Sequence, residues 1–266
     1  MSKILTENNK LHKLFFILAG VFLANVILAE LTGVKVFSLT NFLGLGNIEN
    51  PFSSGNKINL NMSVGILIWP FVFILSDIIN EYFGKTGVQR ISILAATMIL
   101  YSSIIIYIST KLPPAPFWQE LNGKDGSGNP LDINYAYKLI FSQGLSIMAG
   151  SITAFLLSQL VDVYTFHWIR NITGHKKLWL RATGSTVVSQ LIDSYVVLTV
   201  AFYIIGSGGG RWSFIQVLQV GTTQYLYKIS FAILLTPLIY LFHYIIDRYL
   251  GGKKSEEVIE ETNKNW

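Results

Sequence analysis

The sequence contains no cysteine, and charged residues make up only 13% of its 266 positions. Without cysteine the chain has no disulfide framework, no thiolate metal site and no cysteine nucleophile. Soluble domains usually carry about 25% charged residues, whereas here apolar residues reach 51% and the mean hydropathy is +0.47. The formal net charge of +5 comes from basic residues scattered between apolar runs, not from a dense patch. This pattern favours a membrane as the partner and argues against a nucleic acid.

Six apolar stretches are long enough to cross a bilayer, which takes about 20 residues of helix. They are Leu14–Leu31, Met62–Tyr82, Val88–Thr110, Tyr137–Trp168, Leu178–Ile205 and Tyr225–Tyr249. We therefore predict an all-α integral membrane protein with six transmembrane helices. Residues 1–252 are expected to form a single membrane domain, and residues 253–266 a polar, frayed cytoplasmic tail. Between the first two helices, two short extended pieces predict a small hairpin or a re-entrant element.

The positions of lysine and arginine indicate which loops face the cytoplasm. If the amino terminus lies inside, most of the 20 lysine and arginine residues fall on the inner side, and Arg211 and Lys228 are assigned to the last outer loop. Short loops rich in these residues are typical of the cytoplasmic side. We therefore predict a multi-pass protein of the cell inner membrane with both termini in the cytoplasm.

Acids within the apolar stretches mark the first candidate functional positions. An ionisable side chain at bilayer depth costs about 2.5–3.5 kcal/mol on insertion scales, so it normally faces a cavity or a partner. In the second span, Asp77 and Glu81 are four residues apart and share a helix face, with Asn80 close by. Either one acid is protonated, or a cation or hydrogen-bond donor lies opposite. For Glu81, pairing with Lys85 or Arg90 at the cytoplasmic interface is the alternative.

A polar phrase occurs twice, as SQLVDVY in the fourth span and SQLIDSY in the fifth. In each helix the amide and the acid share a face, Gln159 with Asp162 and Gln190 with Asp193. Such pairs suit a flat heterocycle with a mixed polar edge, or alternatively a cluster of hydrogen bonds between helices. Asp162 lies within about two turns of the end of its span, whereas Asp193 is roughly 18 to 24 Å above the start of its own. We therefore expect the acids at different depths, in one pocket or along one path.

Three other residues in the spans allow two interpretations each. Asn25 is an isolated amide that either links helices or contacts a ligand. Arg181 begins the fifth span, where it either extends to the membrane surface or neutralises Asp162 or Glu81. Pro70 either bends its helix toward a cavity or is a simple packing kink.

The histidines do not form a recognisable catalytic or metal site. His12, His167, His175 and His243 lie at span ends or in loops, and none has the helical spacing of a metal pair. No G-x-S-x-G motif accompanies them. We therefore predict that the chain is not an enzyme and uses no cofactor.

Two runs resemble a known family. WPFVFILSDIINEYFGKTGVQR resembles the FP…TDIINEVYGK…AR segment of the queuosine precursor transporter family, with Trp69 where phenylalanine is usual. SQLVDVYTFHWIRNITGHKKLWLRATGSTVVSQLIDSYV is similar to that family's paired Q-x-x-D helices, joined by a short basic loop. The resemblance implies uptake of a 7-deazaguanine, namely 7-cyano-7-deazaguanine, its aminomethyl relative or queuine. It also implies a fold similar to the substrate-binding subunits of energy-coupling-factor vitamin importers.

The residues and the resemblance together define an expected site. A carboxylate can accept two adjacent N–H donors of a guanine-like edge, amides can bind its carbonyl, and Trp69, Tyr82 or Tyr195 could stack on the base. We expect substrate-binding residues at Asn25, Trp69, Asp77, Gln159, Asp162, Gln190 and Asp193, and gating or proton-coupling residues at Asp77, Glu81, Arg90 and Arg181.

The expected partners are the 7-deazapurine substrate and the lipid bilayer, with either a homodimer or an ATPase module as a protein partner. Two other functions stay open at this point. One is a substrate-binding subunit of an ATP-driven vitamin importer. The other is a membrane enzyme or assembly factor in which the acids form a structural cluster.

Overall fold

A computed structural model describes residues 2–44, 48–49, 57–58, 61–173, 178–205 and 211–264. Helices dominate the described chain, and the short strands lie between the first two long helices. The helices are α1 (Ser2–Thr32), α2 (Leu39–Phe42), α3 (Trp69–Lys111), α4 (Pro116–Leu121), α5 (Ile133–Thr173), α6 (Leu178–Leu198), α7 (Phe214–Leu234), α8 (Thr236–Leu250) and α9 (Gly252–Lys264). A 3₁₀ turn, Val64–Leu67, precedes α3, and a π-helical segment, Thr199–Ile204, continues α6.

Long apolar helices confirm an all-α membrane protein. Within the described residues, four segments are long and apolar enough to cross a bilayer: Lys10–Thr32, Trp69–Lys111, Ile147–Thr173 and Trp179–Ile204. Helices α7 and α8 make a fifth if the pair, which is bent by 44°, is counted as one span. Many large apolar side chains on these helices are exposed, such as Phe16, Leu100 and Leu160, as expected for surfaces that face lipid.

Helix α3 is two arms joined by a sharp turn at Gly84. Its 43 residues would extend about 64 Å as one straight helix, roughly twice the thickness of a bilayer core. Gly84 has non-helical dihedral angles, φ 67° and ψ −174°. A Cβ atom added at Gly87 would lie 2.7 Å from the Phe83 Cβ and 3.7 Å from a methyl group of Ile79. Eight residues of straight helix would separate those positions by about 12 Å, so the chain turns back here.

The predicted hairpin between the first two long helices is present. Strand β1 (Val36–Ser38) pairs antiparallel with β4 (Asn61–Ser63), and β2 (Ile48–Glu49) pairs antiparallel with β3 (Lys57–Ile58). Strands β2 and β3 lie between β1 and β4 in the sequence, so both strand pairs belong to the same chain reversal. Ser63 also donates a hydrogen bond to the Gly33 carbonyl oxygen at 2.6 Å, which ties the hairpin to the end of α1.

The predicted boundaries of the second and the last span are wrong. The second span begins as a helix only at Trp69, because Met62 lies in β4 and the 3₁₀ turn follows it. Pro70 therefore occupies the first helical turn, where its missing N–H costs no helical bond, and it does not kink α3. The last span was expected over Tyr225–Tyr249, but α7 starts at Phe214 and a break at Leu235 separates it from α8.

The carboxyl-terminal segment is a docked helix and not a frayed tail. Helix α9 follows α8 after Gly251, which has φ 89°. Its Ser255 hydroxyl donates to Asp247 Oδ1 at 2.5 Å, and its Thr262 hydroxyl donates to the Tyr82 carbonyl oxygen at 3.2 Å. Val258 is buried in the main apolar core. The helix therefore packs beside the Gly84 turn of α3.

Candidate functional site

The two polar phrases lie side by side on the antiparallel helices α5 and α6. Ser189 donates a hydrogen bond to Asp162 Oδ1 at 3.0 Å, and Ser158 donates to Asp193 Oδ1 at 3.5 Å. In each phrase the serine hydroxyl therefore donates a hydrogen bond to the acid of the other phrase. Their acids are about one helical turn apart in height, or roughly 6 Å. The two acids therefore lie at different depths, as predicted, but the difference is smaller than the predicted heights imply because α5 continues to Thr173 beyond its predicted end.

A cavity lies between the first arm of α3 and the helices α6, α7 and α8. It has an empty volume of about 500 Å³, part of which is open to solvent. Three predicted site residues, Trp69, Asp77 and Gln190, line it. The other lining residues are Ile66, Pro70, Phe73, Ile74, Ala182, Thr183, Thr186, Tyr227, Lys228, Phe231, Ala232, Leu235 and Ile239. Most of the wall is therefore apolar or aromatic, with polar groups at a few points.

Several polar atoms of the cavity wall lack a hydrogen-bond partner within the described part of the chain. They are Asp77 Oδ1, the amide nitrogen and oxygen of Gln190, and the Tyr227 hydroxyl. Asp77 is 4% exposed and Gln190 is 1% exposed. Buried polar groups in folded proteins are nearly always hydrogen-bonded. These atoms are therefore candidates for binding a ligand that has both donors and acceptors.

One wall of the cavity carries an ion pair that the sequence analysis did not find. The Lys228 ammonium lies 2.5 Å from Asp193 Oδ2, and both side chains are largely buried. Lys228 was assigned to an outer loop, but it lies within α7. Asp193 is not itself a lining residue, and its connection to the cavity is the ion pair with Lys228.

Gln159 and Asp162 lie behind the cavity, at the interface of α3, α5 and α6. The Gln159 amide nitrogen donates to the Ser76 hydroxyl, while its amide oxygen has no hydrogen-bond partner among the described residues. Asp162 is 2% exposed and accepts the Ser189 hydrogen bond. Neither residue lines the cavity. Gln159 therefore contacts the helix that presents Asp77, and Asp162 contacts the helix that presents Gln190.

A second charged cluster, the Glu81 network, lies near the Gly84 turn. Glu81 Oε1 is 2.5 Å from Arg181 Nη2 and 3.5 Å from Arg170 Nη2. Arg181 is 2% exposed, so it does not extend to the membrane surface but neutralises Glu81. Beside the network, His167 Nε2 is 2.8 Å from Asn80 Oδ1. Charged groups from α3, α5 and α6 therefore meet at one level of the bundle.

Two predicted site residues lie apart from these clusters. The Asn25 amide nitrogen donates to the Val21 carbonyl oxygen of its own helix at 2.8 Å. Arg90 is exposed on the second arm of α3 and is not in the Glu81 network. The structure does not bring either side chain to the cavity wall.

Tyr227, Lys228 and Arg170 were not predicted from the sequence to lie in these clusters. All three are polar residues within long helices, which is the same signal that identified Asp77. Arg170 was counted as a loop charge because the predicted fourth span ended at Trp168, and Lys228 because it lies only three residues from the predicted start of the last span, Tyr225. Glu30 was also given no role, although it is buried and accepts a hydrogen bond from Ser151.

Comparison with known proteins gives matches that cover this region. The family model described as "Putative vitamin uptake transporter" matches residues 63–242. A Bacillus subtilis protein named "Probable queuosine precursor transporter" is 28% identical over 182 residues, which are 68% of this chain and 71% of that protein. A Haemophilus influenzae protein of the same name is 23% identical and covers 68% of each chain. The Escherichia coli "Queuosine precursor transporter" is 26% identical over 64% of this chain and 74% of its own. No solved structure gives a significant match.

Proposed function

Because the chain belongs to the family described as putative vitamin uptake transporters, we propose that it imports precursors of the modified tRNA base queuosine. Its activity is that of a membrane transporter, in agreement with its long apolar helices and with the curated relatives. The proposed substrates are 7-deazaguanines: 7-cyano-7-deazaguanine, 7-aminomethyl-7-deazaguanine or queuine. Transport would take place across the cell inner membrane.

We propose six crossings with both termini in the cytoplasm. The two arms of α3 count as separate crossings, since the chain reverses at Gly84, and the bent pair α7 and α8 counts as one. Together with α1, α5 and α6 this gives six. Such a bundle is the arrangement that the resemblance to substrate-binding subunits of energy-coupling-factor importers implies.

The observation that carries the substrate proposal is the unpaired acid and amide in the cavity wall. A guanine-like base presents adjacent N–H donors beside a carbonyl oxygen, and a carboxylate can accept both donors in parallel. Asp77 would accept from that edge, and the Gln190 amide would donate to the carbonyl. Trp69 lines the same cavity and offers an indole ring against which the flat base can stack.

The residues behind the cavity have supporting roles in this proposal. Gln159 and Asp162 would hold the helix faces that present Asp77 and Gln190, through Ser76 and Ser189 respectively. Glu81 and Arg181 would hold α3 to α6 next to the Gly84 turn, so that the helices that gate the cavity move relative to them. Asn25 and Arg90 have no proposed contact with the base.

The test is uptake by variants in a host that lacks both its own precursor synthesis and its own transporter. Asp77→Asn and Gln190→Ala are expected to lower uptake of labelled 7-cyano-7-deazaguanine about 10- to 100-fold, because each loses hydrogen bonds to a buried ligand. The matched control is Glu120→Gln, an exposed acid in α4. If Asp77→Asn and Gln190→Ala transport as well as the control, the site assignment is wrong.

Binding can be measured separately from transport. Ligands that bind the folded state raise the unfolding temperature of the detergent-purified protein. We expect a rise with 7-cyano-7-deazaguanine and with no unmodified pyrimidine base. If the nitrile compound, the aminomethyl compound and queuine all leave the unfolding temperature unchanged, the substrate proposal is wrong.

A further inference from the structure

The cavity carries an acid at one level and a cation at another. Helix α7 runs antiparallel to α6, because Lys228 pairs with Asp193 near one end of the cavity and the Thr236 hydroxyl lies 3.2 Å from that of Thr183 toward the other. Lys228 lies in the cavity wall, and so does Asp77 across from it on α3. The two side chains therefore face the same cavity.

Contacts of neighbouring residues give the height of Asp77. Its neighbour Ser76 contacts Gln159, and Glu81, one turn further along α3, contacts Arg181 at the start of α6. Gln159 follows Ser158, which lies opposite Asp193. Asp77 is therefore below the level of Asp193 and above that of Arg181. Lys228, at the Asp193 level, lies on the order of one helical turn above Asp77, or about 5 Å.

Lys228 presents its charge to the cavity, whereas its partner does not. An ammonium has three donors, and Asp193 Oδ2 takes one of them at 2.5 Å. Asp193 lies behind Lys228 and is not a lining residue. A ligand in the cavity would therefore meet the ammonium before the carboxylate.

We propose that Lys228 determines which C7 substituent the transporter accepts, so that a neutral nitrile is preferred over a protonated aminomethyl group. This inference rests on the proposed function, in which Asp77 holds the N1–H and 2-amino edge of the base. C7 lies on the five-membered ring beside the 6-carbonyl and away from the N1–H and 2-amino edge, so with that edge on Asp77 its substituent would extend toward the level of Lys228. The nitrile nitrogen accepts a hydrogen bond from the ammonium, whereas the aminomethyl group is itself a cation and is repelled.

The experiment measures selectivity and not only uptake. 7-Cyano-7-deazaguanine and 7-aminomethyl-7-deazaguanine are each supplied in labelled form to cells that express the full chain. The readout is the ratio of the two half-saturating concentrations. The wild type is expected to favour the nitrile, and Lys228→Met is expected to shift the ratio toward the amine by about tenfold, because the repulsion is removed. Lys138→Met, at an exposed position of α5, should leave the ratio unchanged.

Two further variants separate specificity from a structural role of the ion pair. Lys228→Arg keeps the cation and should restore the wild-type ratio. Asp193→Asn breaks the ion pair but leaves the cation in the cavity, so it should keep or increase the preference for the nitrile. If Asp193→Asn and Lys228→Met lower uptake of both compounds in the same proportion, the pair only joins α6 to α7 and the inference is wrong.

The outcome also distinguishes this inference from the proposed function. Uptake of both compounds with a ratio that does not respond to Lys228 overturns the inference and leaves the proposed function intact. A wild type that prefers the amine likewise overturns it. Uptake of neither compound by the wild type overturns the proposed function, and the inference with it.

Discussion

At the scale of single residues, the Glu81 network and the ion pair of Lys228 with Asp193 differ in their surroundings. Glu81, Arg170 and Arg181 have at most 4% of their surface exposed. Lys228 and Asp193 retain 13% and 17% of their side-chain surface and border an open cavity. Removing one member of a fully buried pair leaves a charge without water or a counter-charge, which is a large cost. A pair beside a cavity can exchange partners with water or a ligand at lower cost.

Glu81→Gln is expected to destabilise the protein strongly, because it removes the carboxylate that lies between two buried arginines of like charge. The expected loss is about 3–5 kcal/mol in the free energy of unfolding, measured by equilibrium unfolding in mixed detergent micelles. Glu256→Gln, at an exposed acid of α9, makes the same chemical change and should have little effect. Equal stability of the two variants would show that the Glu81 network does not contribute to folding.

The sequence identified the acids and amides of the site but not most of their partners. Asp77, Gln190 and Asp193 could be found because a polar side chain in an apolar stretch is conspicuous. Their partners lie on other helices, and the relative height of two helices depends on loops and on helix ends. Ser158 lies opposite Asp193 because α5 ends five residues later than predicted, which changes the relative height of α5 and α6. Lys228 was assigned to the outer side because it lies at the edge of the predicted last span, whereas α7 begins eleven residues earlier, at Phe214, and places Lys228 well inside a helix.

At the scale of helices, the turn at Gly84 has a conformation that only glycine adopts readily. With φ 67° and ψ −174°, it lies in a region of backbone space that is essentially restricted to glycine, where a Cβ atom costs about 1–3 kcal/mol. Gly87 follows one helical turn later and lets the arms of α3 approach closely, since a Cβ there would meet Phe83 at 2.7 Å. The short turn thus depends on two glycines.

Gly84→Ala is expected to lower the free energy of unfolding by about 1–3 kcal/mol, because alanine is strained in this conformation. The midpoint of thermal unfolding in detergent measures the effect. Gly126→Ala is the matched control, since no atom lies within 4 Å of a Cβ added there and its φ is not in the left-handed region. A Gly84→Ala protein as stable as the Gly126→Ala protein would contradict the described turn.

Hydropathy predicted most of the long helices and failed where polar residues lower the mean hydropathy of a span. The first half of α7 contains Gln216, Gln219 and Gln224, so its apolar content is too low for a hydropathy window. Pro237 lies in the first turn of α8, where the sequence suggests no interruption of an apolar run. In contrast, the two arms of α3 were predicted as separate spans, because Gly84 and Lys85 interrupt the apolar pattern.

At the scale of the whole molecule, the absence of cysteine allows the proposed topology to be tested directly. Single cysteines at Lys13, Ser127 and Glu256 introduce thiols at exposed positions of α1, of the segment before α5, and of α9. With six crossings, a membrane-impermeant maleimide should label Ser127→Cys in intact spheroplasts. It should label Lys13→Cys and Glu256→Cys only after permeabilisation, because both lie on the cytoplasmic side.

The labelling pattern distinguishes the alternatives for the number of crossings. If Lys13→Cys and Glu256→Cys react on opposite sides of the membrane, the number of crossings is odd and either the α3 arms or the α7 and α8 pair have been counted wrongly. If both react in intact spheroplasts while Ser127→Cys does not, the orientation is inverted. The cysteine-free wild type should show no labelling in either condition.

The Glu81 network also has a mechanical consequence. It joins α3, α5 and α6 through buried charges at one level, so relative sliding of these three helices would separate an acid from its counter-ions. Helices α7 and α8 carry the facing wall of the cavity and are bent by 44° at Leu235. We therefore expect three helices to behave as a rigid frame and the α7 and α8 pair to swing about that bend. Access would alternate by the movement of one wall, and the frame would stay still during the transport cycle.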